Sequence, residues 1–152
     1  MDYSRLTDKV FVGAAVGSAA DVDQLVAAGV TAIVDARVEF DDAAILMAFY
    51  PSVLYLYDPT ADDGVHPKPV HWFQSALGFA LPLIVQPKPN CVLFHCAAGI
   101  ARGPSLAYCV LRALGWSKDD AFNLIKSKRP AATMSYKDDG DAALLALGYT
   151  RD

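Results

Sequence analysis

Apolar residues in this chain fall into short continuous runs, separated by stretches in which they recur every three or four positions. The runs around Val10-Phe11-Val12, Ala32-Ile33-Val34, Val53-Leu54-Tyr55-Leu56-Tyr57 and Val92-Leu93-Phe94 are too short for helices and rich in β-branched and aromatic residues, which predicts strands near 10–13, 31–35, 53–57 and 91–95. The stretches between and after them predict helices over 21–28, 40–49, 68–86, 103–114, 118–128 and 136–147. Gly29 fits a helix stop before the Val30 strand entry, and Pro87-Lys88-Pro89-Asn90 separates the long middle helix from the fourth strand. Ser117, followed by Asp119 and Asp120, fits a helix N-cap with acids in the first turn. Alternation of the two patterns predicts an α/β fold: one compact domain over residues 1–152, with a central, mainly parallel sheet of four to five strands flanked by helices.

Composition narrows the class. A chain of 152 residues, 54% of them hydrophobic, supplies one proper core. A net charge of −4 argues against a general binder of nucleic acid or anionic membrane. Met1-Asp2-Tyr3-Ser4-Arg5 does not resemble a signal peptide, and the longest apolar stretch, Trp72 to Val85, is interrupted by Pro82 and too short to span a bilayer. Three cysteines without an export signal read as reduced thiols, so the expectation is a cytoplasmic protein with no membrane insertion.

The chemistry concentrates at His95-Cys96-Ala97-Ala98-Gly99-Ile100-Ala101-Arg102. A strand that breaks into a tight loop and re-enters as a helix aims several backbone N–H groups at one point, a cradle for a tetrahedral dianion. A thiol at the start of that loop is the nucleophile, and thiolate formation is favoured at a helix N-terminus beside a cation. Arg102 at its end offers a planar fork that matches two phosphate oxygens and stays charged. Gly99 permits the sharp turn, and the alanines leave the backbone of residues 97–102 to line the cradle. His95, preceding the cysteine on a strand, points away from the pocket and is expected to order the loop by hydrogen bonding. Phosphate or sulfate is the expected occupant, with no cofactor and no metal.

His95-Cys96-x5-Arg102 resembles the active-site loop of the cysteine-dependent protein phosphatases, specifically the small dual-specificity type. The resemblance extends over nearly the whole chain: Lys9–Gly13 resembles the family's opening strand, Leu25–Val34 its first helix, turn and second strand, and Gly115–Ala121 with Lys128-Arg129-Pro130 the helices behind the loop. It implies a phosphomonoester hydrolase that passes through a cysteinyl-phosphate, open to phosphotyrosine and to phosphoserine or phosphothreonine. It also implies an acid for the leaving oxygen, an Asp with a Pro four positions on. Asp63-Gly64-x-x-Pro67 fits that spacing and Asp62 falls one residue short, so Asp63 is preferred over Asp62. Asp58, before Pro59, reads as a strand end without a role. One position departs from the family: most members carry Ser or Thr after the loop arginine, where its hydroxyl stabilises the departing sulfur, whereas this chain has Gly103-Pro104. The phosphatases of regenerating liver also lack that hydroxyl. The departure predicts slow breakdown of the phosphoenzyme; Ser105, two residues on, faces another direction.

Other residues read as structural. Cys91 begins the strand that Cys96 ends, about 16 Å of extended chain away and too far for a disulfide, and Cys109 lies two turns into the next helix; both read as core. His66, Lys68 and His71 either rim the pocket or form a solvated loop and helix start, and two histidines five apart make a poor metal site. Lys126, Lys128 and Arg129 read as an exposed helix end. Two further functions compete with hydrolysis: a phosphate-recognition module, to which Gly103 lends support, and sulfur transfer, in which Asp63-Gly64-x-x-Pro67 has no purpose. The absence of Lys and Arg between Cys96 and Arg102 argues against polyphosphorylated inositol lipids as substrates.

Overall fold

The computed structural model describes all 152 residues. Its strands are β1 (Tyr3–Arg5), β2 (Val10–Gly13), β3 (Ala32–Arg37), β4 (Leu54–Thr60) and β5 (Val92–His95). The helices are α1 (Ala19–Ala27), α2 (Ala43–Phe49), α3 (Val70–Ile84), α4 (Arg102–Ala113), α5 (Lys118–Lys128) and α6 (Lys137–Leu147). The sheet runs β1-β2-β5-β3-β4, with only the β1–β2 pair antiparallel. The central strands are apolar on both faces because helices cover both. One face packs against α3, α4, α5 and α6, with Trp72, Phe73, Phe94, Tyr108 and Tyr136 fully buried; the other packs Phe11, Leu25, Ile33 and Leu93 under α1 and α2.

The four predicted strands and six predicted helices are all present. Ser117 caps α5, its Oγ accepting from the Asp120 amide at 3.1 Å, and Gly29 follows α1 at φ 103°. The differences are local. β1 had no apolar run to announce it. β4 continues through Asp58 and Pro59 to Thr60, which an edge strand allows because its proline needs no partner on the open side. The middle helix begins at Val70 rather than 68, and α2 at Ala43 rather than 40. Residues 40–42 are drawn off instead: Asp41 Oδ1 accepts from the Ala43 amide at 2.9 Å, while Asp42 turns inward to the sheet.

Because β2, β5, β3 and β4 are parallel, their C-terminal ends Gly13, His95, Arg37 and Thr60 lie along one edge of the sheet. Chemistry in open α/β sheets gathers at this edge. A register shift between Asp35 and Arg37 re-aims the end of β3 there.

Candidate active site

Residues 96–101 leave β5 and turn into the N-terminus of α4. Gly99 makes the turn possible in two ways: its φ is +68°, and a Cβ on it would lie 2.7 Å from the Gly13 carbonyl carbon, with the Arg129 guanidinium closer still. Every carbonyl of the loop after Cys96 is held from outside. Ala97 O accepts from the Ala15 amide at 2.9 Å, and Ile100 O from the amides of Thr133 and Met134 at 2.9 and 3.2 Å. Ala101 O accepts from Ser105 Oγ at 2.6 Å. Arg129 takes the remaining two, donating from Nε to Gly99 O at 2.7 Å and from Nη2 to Ala98 O at 3.1 Å. The backbone N–H groups of Ala97, Ala98, Gly99, Ile100, Ala101 and Arg102 make no hydrogen bond within the chain. With the carbonyls tied outward, the free amides form the inner lining, a ready anion site at a helix N-terminus.

Arg129 is therefore a correction to its reading as an exposed helix end. It is 7% exposed, and its guanidinium also pairs with Asp2 at 2.9 Å. Nothing in the local pattern Lys126-Ser127-Lys128-Arg129 separates it from its solvated neighbours; only the tertiary fold brings it under the loop.

Arg102, 2% exposed, is the first residue of α4. Its Nη1 and Nη2 donate to Glu39 Oε1 and Oε2 at 2.7 and 2.9 Å, and Nη1 also to Thr60 O at 3.0 Å. That pairing holds the Glu39 carboxyl down at about 2 and raises the arginine. Arg102 Nε is buried with no partner, a donor left over once Glu39 has oriented the fork. Glu39 is a partner of the loop arginine that the sequence did not flag. It sits between β3 and α2, and no spacing rule links it to a loop some sixty residues away.

Beneath the loop lies a buried charge network. His95 Nε2 meets Asp42 Oδ2 at 2.5 Å and Nδ1 faces the Cys96 carbonyl at 3.3 Å, so the histidine does point away from the pocket and ties down the loop's first residue. Arg37 donates to Asp35 Oδ1 at 3.0 Å and Asp42 Oδ1 at 2.7 Å. Asp35, Asp42 and His95 converge closely enough to suggest a cation site, but the Arg37 guanidinium already supplies the positive charge. Cys96 is buried and free, and Cys91 and Cys109 are likewise buried and free. Ser105 spends its hydroxyl on Ala101 O and the Tyr136 amide.

The segment that carries the candidate acids, Asp62 and Asp63, follows β4. Asp62 Oδ1 accepts from Tyr136 Oη at 2.9 Å, and the carboxylate lies near enough to Arg102 to raise it. Asp63 is turned elsewhere: Lys68 Nζ donates to its Oδ1 at 2.7 Å, lowering its pKa, and the Val65 amide donates to the same oxygen. Lys68 is itself buried over the Tyr136 ring, so it belongs to neither a solvated loop nor a helix start. His66 and His71 are exposed, with His66 Nδ1 at 2.7 Å from Asp139. Asp58 is not a bare strand end: it is 6% exposed, its Oδ2 has no partner, and burial pushes its carboxyl up to about 7.

This combination of sheet, loop and helix is the dual-specificity phosphatase fold. The structure matches PTPMT1 in complex with PI(5)P at a TM-score of 0.76 and 19% identity over 95% of this chain and 98% of that one. It matches human DUSP28 at 0.75 and 23%, over 97% and 96%. A third match is the human tyrosine phosphatase-like serine/threonine/tyrosine-interacting protein, at 0.74 and 18%, over 98% and 99%. In sequence, 89 residues are 28% identical to human dual specificity protein phosphatase 16, covering 58% of this chain but 13% of that protein. No protein-family model matches the chain. The resemblance read from the Cys96–Arg102 loop thus holds at the level of fold, as does the single five-stranded α/β domain.

Proposed function

We propose that this protein is a phosphomonoester hydrolase of the dual-specificity type, working through a phosphoenzyme on Cys96. One observation carries the proposal: the loop's carbonyls are all hydrogen-bonded, while its amides and the buried Arg102 Nε are left without partners in the loop that begins at Cys96. Such preorganised donors match the equatorial oxygens of a transferring phosphoryl group and need not reorganise during reaction. In the first step the Cys96 thiolate attacks phosphorus, the P–O bond to the leaving group breaks, and an aspartic acid gives that oxygen its proton. In the second step the carboxylate takes a proton from water as the water oxygen attacks phosphorus and the P–S bond breaks.

The acid is one of the neighbouring pair. Spacing to Pro67 favours Asp63, whose carboxylate is held by Lys68 in this structure. The Tyr136 contact and the proximity to Arg102 favour Asp62. The lack of an aromatic recognition insert supports a shallow site open to phosphotyrosine, phosphoserine and phosphothreonine, with no metal or cofactor in the reaction. The missing positive charge between Cys96 and Arg102 argues against polyphosphorylated lipids, although PTPMT1 forms a complex with PI(5)P. Gly103 favours one alternative, a slow module that mainly captures phosphorylated partners.

Hydrolysis of an aryl phosphate in the presence of EDTA, followed through and beyond the first turnover, tests the reading with wild type, Cys96→Ser, Asp63→Asn and Asp62→Asn. The expected result is metal-independent activity lost in Cys96→Ser and reduced about 10²–10⁴-fold in one Asp variant. Phosphate binding with neither burst nor turnover supports the capture module instead.

A further inference from the structure

The acid loop carries an unusual tether. Tyr136, fully buried just before α6, donates from Oη to Asp62 Oδ1 at 2.9 Å and accepts the Gly64 amide on the same oxygen at 3.0 Å. Its other end reaches the phosphate loop: the Tyr136 amide donates to Ser105 Oγ at 3.0 Å, and Ser105 Oγ donates to Ala101 O at 2.6 Å. One residue thus spans the two loops that have to meet over a substrate. Its ring is fixed by the Trp72 edge, at 6.1 Å and perpendicular, and carries the Lys68 ammonium 4.8 Å from its centroid. That ammonium donates to Ala61 O at 2.8 Å and Asp63 Oδ1 at 2.7 Å.

We propose that Tyr136 is a positioning residue that selects Asp62 as the acid by holding Asp62 Oδ1, leaving Oδ2 to carry the proton over the phosphate loop. This rests on the phosphatase reading and deepens it. Lys68, seated on the same ring, acts oppositely on the neighbour, keeping Asp63 charged and turned aside. Burial raises the Tyr136 phenol above its ordinary range, so the hydroxyl stays a neutral donor throughout the working pH range. A hydrogen bond between a shielded phenol and a carboxyl oxygen is among the stronger ones a side chain makes. That is enough to fix one carboxylate rotamer, and misplaced acids are costly because small displacements in a reacting geometry lose large factors in rate.

The test separates positioning from folding by leaving-group chemistry. Wild type, Tyr136→Phe, Asp62→Asn, Asp63→Asn and Tyr136→Phe/Asp62→Asn are compared by kcat/KM on phenyl phosphate, whose leaving oxygen needs a proton, and on a difluorinated coumarin phosphate, whose leaving oxygen barely does. Tyr136→Phe keeps the ring, the Trp72 contact and the Lys68 seat. The expected result is that the ratio of the two kcat/KM values shifts at least tenfold in Tyr136→Phe and further in Asp62→Asn, with the double variant no worse than Asp62→Asn. An unchanged ratio in Tyr136→Phe, a double variant whose loss multiplies, or a shift confined to Asp63→Asn overturns the proposal. A wild type with no Cys96-dependent hydrolysis of either ester overturns the phosphatase reading itself.

Discussion

Replacing Arg129 with Met removes the guanidinium and keeps most of the side-chain volume, which isolates the role of two hydrogen bonds on the phosphate loop. The lost loop contacts are Nε to Gly99 O at 2.7 Å and Nη2 to Ala98 O at 3.1 Å; Nη1 and Nη2 also donate to the Asp2 carboxylate at 3.0 and 2.9 Å, and Nη1 to Ser4 Oγ at 3.1 Å. The Asp2 carboxylate is largely exposed, so that pair contributes little. The two loop contacts are charge-assisted and shielded, about 1.5–3 kcal/mol each, so the variant loses about 3–6 kcal/mol before relaxation. Relaxation has an obvious route. Freed carbonyls of Ala98 and Gly99 rotate toward water in the cradle, and each rotation turns a peptide N–H away from the anion position. Loss of one preorganised donor costs about 10²–10³-fold in rate. Arg129→Met is therefore expected to lower kcat/KM on an aryl phosphate by at least that factor and to weaken competitive inhibition by vanadate in parallel, with Arg129→Lys in between because an ammonium reaches one carbonyl. Circular dichroism and thermal melting check that both variants are folded at the assay temperature. A folded Arg129→Met with unchanged kcat/KM and vanadate affinity refutes the argument that this side chain sets the loop's amides.

Asp58→Asn tests the buried carboxyl. Its folded pKa is raised to about 7 from an ordinary value near 4, so the folded protein holds the proton more tightly than the unfolded chain, and stability falls as pH rises from about 4 to about 7. The Tm of Asp58→Asn relative to wild type is expected to be about 4–8 °C higher at pH 8 than at pH 4, on the order of 2 kcal/mol after allowing for solvent screening; a pH-independent difference contradicts the shift. Gly103→Ser tests the departure from the family pattern. A Cβ there lies 3.0 Å from Phe94 O and 3.2 Å from the His95 carbonyl carbon, so the variant is expected to lose about 1–3 kcal/mol in denaturant melts, and to speed the slow phase after the first turnover. An unchanged slow phase removes the explanation of slow turnover by the missing hydroxyl.

What the sequence made legible was whatever is local. The apolar runs of β2, β3, β4 and β5 sit on consecutive residues, and the loop from Cys96 to Arg102 is a contiguous motif whose chemistry follows from residue type and spacing. β1 escaped because Tyr3–Arg5 is short and half polar, and becomes a strand only by pairing antiparallel with Val12 and its neighbours. The groups that orient the motif were illegible for the same reason. Glu39, Asp42, Arg129 and Tyr136 lie far from it in the chain and resemble ordinary surface or cap residues until the sheet edge gathers them. Asp42 is the clearest case: in a Phe-Asp-Asp-Ala context it reads as a helix start, yet its carboxylate is committed to His95 and Arg37. Asp58 looked inert because nothing in Tyr57-Asp58-Pro59 reveals that the strand continues and closes over the carboxyl.

The proposed reaction passes through a covalent phosphoryl group on Cys96, and intact-protein mass spectrometry after acid quench within the first turnover reads it directly. With an aryl phosphate in excess, the expected result is a mass increase of one phosphoryl group that maps to the peptide containing Cys96, is absent in Cys96→Ser, and appears at the rate of the burst. Product released during the first turnover with no adduct on Cys96, or with the phosphoryl group on another residue, contradicts it.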